Sequence, residues 1–125
     1  MKVAIIEKDL ARLNRIDDET SKFPWEIDFF KDPQEFGHAN LDSYDVVVAD
    51  CSLSTMAGRD LIRSIEGKSR AQMFLMSDSS SVFSQEDIEN KNINGFIEKN
   101  DPDSLVDQLK YVDSKIRSKA RSYYT

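Results

Sequence analysis

The chain has 125 residues, enough for one domain with a single buried core and too few for a second. With 32% charged residues and only 4 Gly and 3 Pro it is neither fibrous nor disordered, and a net charge of −6 with an isoelectric point near 4.8 gives it no electrostatic pull toward nucleic acid. Cys51 is the one cysteine, which rules out an internal disulfide and a cysteine metal cluster; no apolar run approaches membrane-spanning length, and the N-terminus lacks the pattern of a signal peptide. The expected compartment is the reducing cytoplasm.

Lys2 to Ile6 is a short apolar run that reads as a strand buried on both faces, closed by the charged cluster Glu7-Lys8-Asp9. Asp9 can cap a helix with Leu10, Leu13 and Ile16 at helical spacing, and Phe23-Pro24 marks its end because the residue before proline is pushed out of helical geometry. Trp25 to Phe30 alternates, with Ile27 and Phe29 on one face and Glu26 and Asp28 on the other, as suits an edge strand. Asp32-Pro33 opens a short helix reaching about His38. Val46 to Ala49 is the most strongly buried strand pattern, and Asp50 follows it directly. A helix from about Gly58 to Gly67 carries Leu61, Ile62 and Ile65. The strand Gln72 to Met76 leads into the Ser77-to-Ser81 segment. Ser84 to Asn92 gives the weakest helix, Gly95 to Ile97 is the last strand, and Asp101-Pro102 starts the cleanest helix, with Leu105, Leu109, Val112 and Ile116 in its stripe.

Strands alternating with helices across connections too short for anything but parallel crossovers imply an α/β chain with a flavodoxin-like, doubly wound (βα)5 sheet in the order 2-1-3-4-5. Ligand sites of such sheets lie at the carboxyl ends of the strands. Those ends carry Glu7 and Lys8, Asp50, Ser77 and Lys99, which should converge. Two carboxylates in contact raise each other's pKa unless a cation lies between them, so the set implies either a bound metal or an internal lysine.

With these residues in place the chain resembles the CheY-like receiver domain of two-component response regulators, over roughly residues 1–117. The family's acidic pair falls on Glu7-Lys8, its phospho-accepting aspartate on Asp50, its hydroxyl residue on Ser77, its switch aromatic on Phe96 and its lysine on Lys99. Gly58, eight residues after the aspartate, and Met56, two before it, also match. The resemblance implies a module that performs no turnover beyond its own phosphorylation and dephosphorylation at Asp50. In it Mg²⁺ would be held by Glu7 through a bound water, by Asp50 and by the Ser52 carbonyl, while Lys99 and Ser77 contact the phosphoryl oxygens and Phe96 turns inward. It also implies a histidine kinase or phosphotransfer protein as partner, and a partner surface on the face of helix 4, strand 5 and helix 5.

Departures from the pattern are as informative as the matches. Lys8 stands where the family has its direct metal ligand; an ammonium there repels Mg²⁺ and can pair with Asp50. Asp9 could substitute only if the loop slipped. Asp78 puts a carboxylate where the family has a small residue, Asn100 replaces a proline, and Ser54 replaces another. Mg²⁺ binding therefore stays open. Two functions remain: a pseudo-receiver of a two-component or phosphorelay system, acting by regulated protein contact, and a working receiver phosphorylated on Asp50 with Mg²⁺. A phosphate-cradling loop at Ser77 to Ser81 lacks the glycines such loops need. His38 reads as a surface histidine, Cys51 as a small apolar residue, and Tyr111 as core or interface. The receiver-like domain is expected over residues 1–119. Residues 120–125 form a tail or the start of a linker, after basic positions at Lys110, Lys115, Arg117, Lys119 and Arg121 opposed by Asp113. An output domain and a homodimer are both compatible with this sequence.

Overall fold

Val46 to Ala49 offer no polar side chain to water, and in the computed structural model they lie fully buried at the centre of a parallel sheet. The structure describes all residues except 38, 54–55, 79–82 and 125, and the side chains of 102 and 120–124 are likewise outside the description. The strands are β1 (Lys2–Ile6), β2 (Glu26–Phe30), β3 (Val46–Asp50), β4 (Gln72–Ser77) and β5 (Gly95–Glu98), in the spatial order β2-β1-β3-β4-β5. Between and after them run α1 (Leu10–Thr20), α2 (Pro33–Gly37), α3 (Gly58–Ile65), α4 (Gln85–Glu89) and α5 (Pro102–Tyr124), with a 3-10 turn at Leu41–Ser43. This is the expected doubly wound arrangement, with β2 at an edge.

Alternation along each strand divides the core into two layers. Val3, Ile5, Val46, Val48, Phe74 and Met76 pack with Leu13 and Ile16 of α1 and Leu105, Leu109 and Val112 of α5. Ala4, Ile6, Val47, Ala49, Met73 and Leu75 pack on the other side with Phe36 of α2 and Leu61, Ile62 and Ile65 of α3. Each fully buried aliphatic or aromatic side chain here contributes about 1.5–3 kcal/mol over leaving it in water.

Local differences from the sequence reading have local causes. The first helix ends at Thr20, earlier than Phe23-Pro24: the Thr20 hydroxyl bonds back to the Ile16 carbonyl at 2.8 Å, and Phe23 leaves the helix to stack on Trp25 at 4.3 Å between ring centroids. Ile116 falls outside the core, 37% exposed, because α5 runs beyond the sheet it packs on. The α5 backbone is helical through Tyr124. His38, Ser54 and Ser79 to Ser81, all singled out from the sequence, lie outside the described residues.

The register positions the site. Ile6 is level with Ala49, Asp50 with Met76, and Ser77 with Glu98, so the residues that follow these strands emerge at one edge of the sheet. Backbone bonds continue the ladder past the strand ends, from Cys51 N to the Met76 carbonyl at 2.9 Å and from Lys99 N to the Ser77 carbonyl at 2.8 Å.

Candidate functional site

Glu7, Lys8, Asp50, Ser52, Ser77, Asp78 and Lys99 line one cavity of about 310 Å³ at that edge, together with Asp9, Arg12 and Cys51. Glu7, Asp50 and Ser77 are buried, at 1%, 3% and 5% exposure. The residues expected to converge do so. The buried pair of carboxylates is answered by the lysine: Lys99 Nζ lies 2.7 Å from Glu7 Oε2 and contacts Asp50 Oδ2. The internal lysine is thus in place between them.

The remaining carboxylate oxygens are held by backbone donors. Asp9 N donates to Glu7 Oε1 at 3.0 Å and Ser52 N donates to Asp50 Oδ1 at 3.1 Å. Burial pushes the Glu7 carboxyl above its usual range, against the pull of Lys99. Burial also acts to lower the Lys99 pKa, but its contacts with Asp50 and Glu7 outweigh that and the ammonium is held above its usual value. The Cys51 thiol is pushed up to about 11 by burial and by the nearby Asp87 and Asp50 carboxylates. It therefore stays protonated and unreactive near neutral pH.

Lys8 is placed differently from the sequence expectation. It is exposed at the cavity mouth, and among the described residues it forms no ion pair, with Asp50 or with any other carboxylate. Lys99 follows the edge strand β5 and its side chain is nearly buried against Asp50, whereas Lys8, after the inner strand β1, is exposed. Asp78 does not stand free over the pocket either. Arg12 of α1 contacts its Oδ1, and Asn100 donates to its carbonyl at 2.8 Å. Two departures from the family pattern, Asp78 and Asn100, thus belong to one tie. Arg12 escapes sequence reasoning because its partner lies 66 residues away and nothing in the spacing of α1 signals the contact. Phe96 is half-buried outside the cavity lining, with its ring 4.6 Å from that of Phe83.

Gly58 is required by close approach. A Cβ there would lie 2.1 Å from the Asp50 carbonyl oxygen, so glycine lets α3 start against the end of β3. The loop between folds back through a Ser52–Ala57 bridge and a Gly58 N bond to the Cys51 carbonyl at 3.1 Å.

No family model matches the chain, and no curated relative does. Solved structures do match. A CheY-like response regulator receiver domain from Methylobacillus flagellatus aligns over 90% of this chain and 98% of its own, with a TM-score of 0.78 and 19% identity. A response regulator receiver protein from Pseudoalteromonas atlantica covers 93% and 99%, with a TM-score of 0.81 and 14% identity. The chain has the fold of a response-regulator receiver domain. A third receiver-fold relative, the response regulator TrrA from Thermotoga maritima solved in complex with Mg²⁺-BeF, covers 89% of this chain and 97% of its own, with a TM-score of 0.73 and 19% identity.

That complex raises the question of whether this receiver-fold pocket suits a divalent cation. Among the described residues no three His, Cys, Asp or Glu side chains gather closely enough to hold one. Both buried carboxylates are engaged by Lys99, the cavity's other two, Asp9 and Asp78, lie against Arg12, and Lys8 adds an ammonium at the mouth. A hard dication needs several oxygen donors and gains nothing from neighbouring ammonium groups. The donor set does not fit the metal. Among the described residues no helix is long and apolar enough to cross a membrane.

Proposed function

We propose that this chain is a receiver-like signalling module whose pocket works without Mg²⁺ and which acts by regulated contact with another protein. The observation that carries this reading is Lys8, an exposed ammonium lining the cavity at the position where the family has its direct metal ligand. The module binds and switches; it has no substrate of its own to turn over. Its partner, a histidine kinase or phosphotransfer protein of a two-component or phosphorelay system or another protein, meets it on the face of α4, β5 and α5. There Ile88 and Tyr111 are exposed and Phe96 is half-buried. Residues 1–119 form the module and 120–125 lead away from it.

A second reading is favoured by the convergence of Asp50, Ser77 and Lys99: a working receiver, phosphorylated on Asp50 by a histidine kinase with Mg²⁺ bound at Glu7, Asp50 and the Ser52 carbonyl. Intact mass after incubation with acetyl phosphate separates the two. The first predicts the same spectrum in Mg²⁺ and in chelator. A phosphoryl adduct that needs Mg²⁺ and disappears in Asp50→Asn would establish the second instead.

A further inference from the structure

Arg12 lines the same cavity as Asp50, Ser77 and Lys99, yet the pairing of the two buried carboxylates leaves it unused. Its Nη2 contacts Asp78 Oδ1 and its Nε lies 3.8 Å from Asp9 Oδ2. Its Nη1 is buried and has no acceptor among the described residues. A buried donor without an acceptor is disfavoured, so this guanidinium gains from any further oxygen brought to it.

We propose that Arg12 is the pocket's second cation, held at rest by Asp78 and taken over by an oxyanion of the phosphoryl class carried on Asp50. The inference rests on the metal-free reading above. Such a group turns a single negative charge into roughly two, and Lys99 is already shared between two carboxylates. Arginine suits the vacant role, since its planar fork meets tetrahedral oxyanions with paired N–H groups. The pair it must leave is exchangeable: the Asp78 side chain is 61% exposed, and exposed ion pairs are weak. Lys8 at the mouth adds attraction. Asp78 is also tied through its carbonyl to Asn100, so it stays anchored when Arg12 leaves its carboxylate.

Fluoroberyllate is the probe, followed by ¹⁹F NMR in the presence of chelator. Beryllium accepts a lone pair from the Asp50 oxygen as a bound water leaves, with no change of oxidation state. A saturable bound resonance is expected in the intact chain and none in Asp50→Asn. Binding should weaken by about tenfold in Arg12→Ala, the loss of one charge-assisted hydrogen bond. It should recover in part in Arg12→Lys and tighten several-fold in Asp78→Asn, which releases the guanidinium. A urea midpoint for each variant checks that it is folded. Metal-free binding that Arg12→Ala leaves unchanged would overturn the role of Arg12 and leave the metal-free reading standing. Binding only when Mg²⁺ is supplied would overturn both. No binding in either condition would overturn this proposal while leaving a module read solely through protein contact.

Discussion

Lys99 keeps only 7% of its side chain exposed, beside 1% for Glu7 and 5% for Asp50, so one buried ammonium faces two buried carboxylates. Removing the cation alone strands both. Lys99→Met should lower stability by about 3–5 kcal/mol in urea denaturation, whereas the triple change Glu7→Gln, Asp50→Asn, Lys99→Met should recover most of that loss, because an all-neutral set has no charge left to desolvate. A loss under 1 kcal/mol in the single variant would mean that Lys99 is not the counter-charge. The raised Lys99 pKa fixes the sign of the pH dependence. The stability it gives is fully present below its unfolded value of 10.5 and is lost as pH rises through the folded value. Tyr44 acts in the same direction, its hydroxyl held up by burial and by its 2.8 Å bond to Asp28, with losses beginning above 10.0. The Cys51 thiol, raised from 9.0 to about 11, adds a loss that begins above 9.0. Urea midpoints should therefore fall as pH climbs through 9 and past 10, and Tyr44→Phe should keep only the Cys51 and Lys99 parts; a midpoint flat through this range would contradict all three assignments. At this scale the sequence makes the strand-end residues readable, since every parallel strand ends at the same edge and Glu7, Asp50, Ser77 and Lys99 each follow an apolar run. Which lysine pairs with Asp50 is not readable. It depends on whether the side chain leaves the sheet edge inward or outward, and both Lys8 and Lys99 stand beside a strand end.

The elements that shape the pocket meet at close quarters, and Gly58 is the tightest contact. Gly58→Ala would set its Cβ 2.1 Å from the Asp50 carbonyl oxygen and 2.8 Å from the carbonyl carbon, both backbone atoms that cannot swing aside. Shifting α3 away from β3 should cost about 1–3 kcal/mol in urea denaturation. It should also move the Asp50 and Ser52 amide resonances, and an unperturbed amide spectrum would show that the loop absorbs the methyl freely. The short α4 has almost no apolar stripe in sequence, and what holds it is polar. Ser84 and Asp87 form a reciprocal capping box, while Arg59 and Arg63 of α3 reach Asp87 at 3.3 Å and Glu86 at 3.0 Å. Ser84→Ala should therefore speed amide exchange through α4 at a cost of about 1 kcal/mol, with little change elsewhere. Periodicity finds strands and long helices because burial writes them into the chain. A five-residue helix fixed by a cap and cross-helix ion pairs leaves no such period.

Taken whole, the molecule puts its charged cavity at the carboxyl edge of the sheet and the Phe23–Trp25 stack at the other. Trp25 precedes β2, stacks on Phe23 and donates to Asp113 of α5 at 3.1 Å, so its fluorescence reports on the wrong end of the fold. A readout at the pocket itself is needed to ask whether Lys8 keeps a divalent cation out. The most direct measurement is a calorimetric Mg²⁺ titration of the intact chain beside Lys8→Asp, which returns a carboxylate to the cavity and serves as the positive control. No saturable heat in the intact chain and saturable heat in Lys8→Asp is the predicted result. Saturable Mg²⁺ binding by the intact chain that Asp50→Asn abolishes would contradict it, and the pocket would then be a metal site despite Lys8.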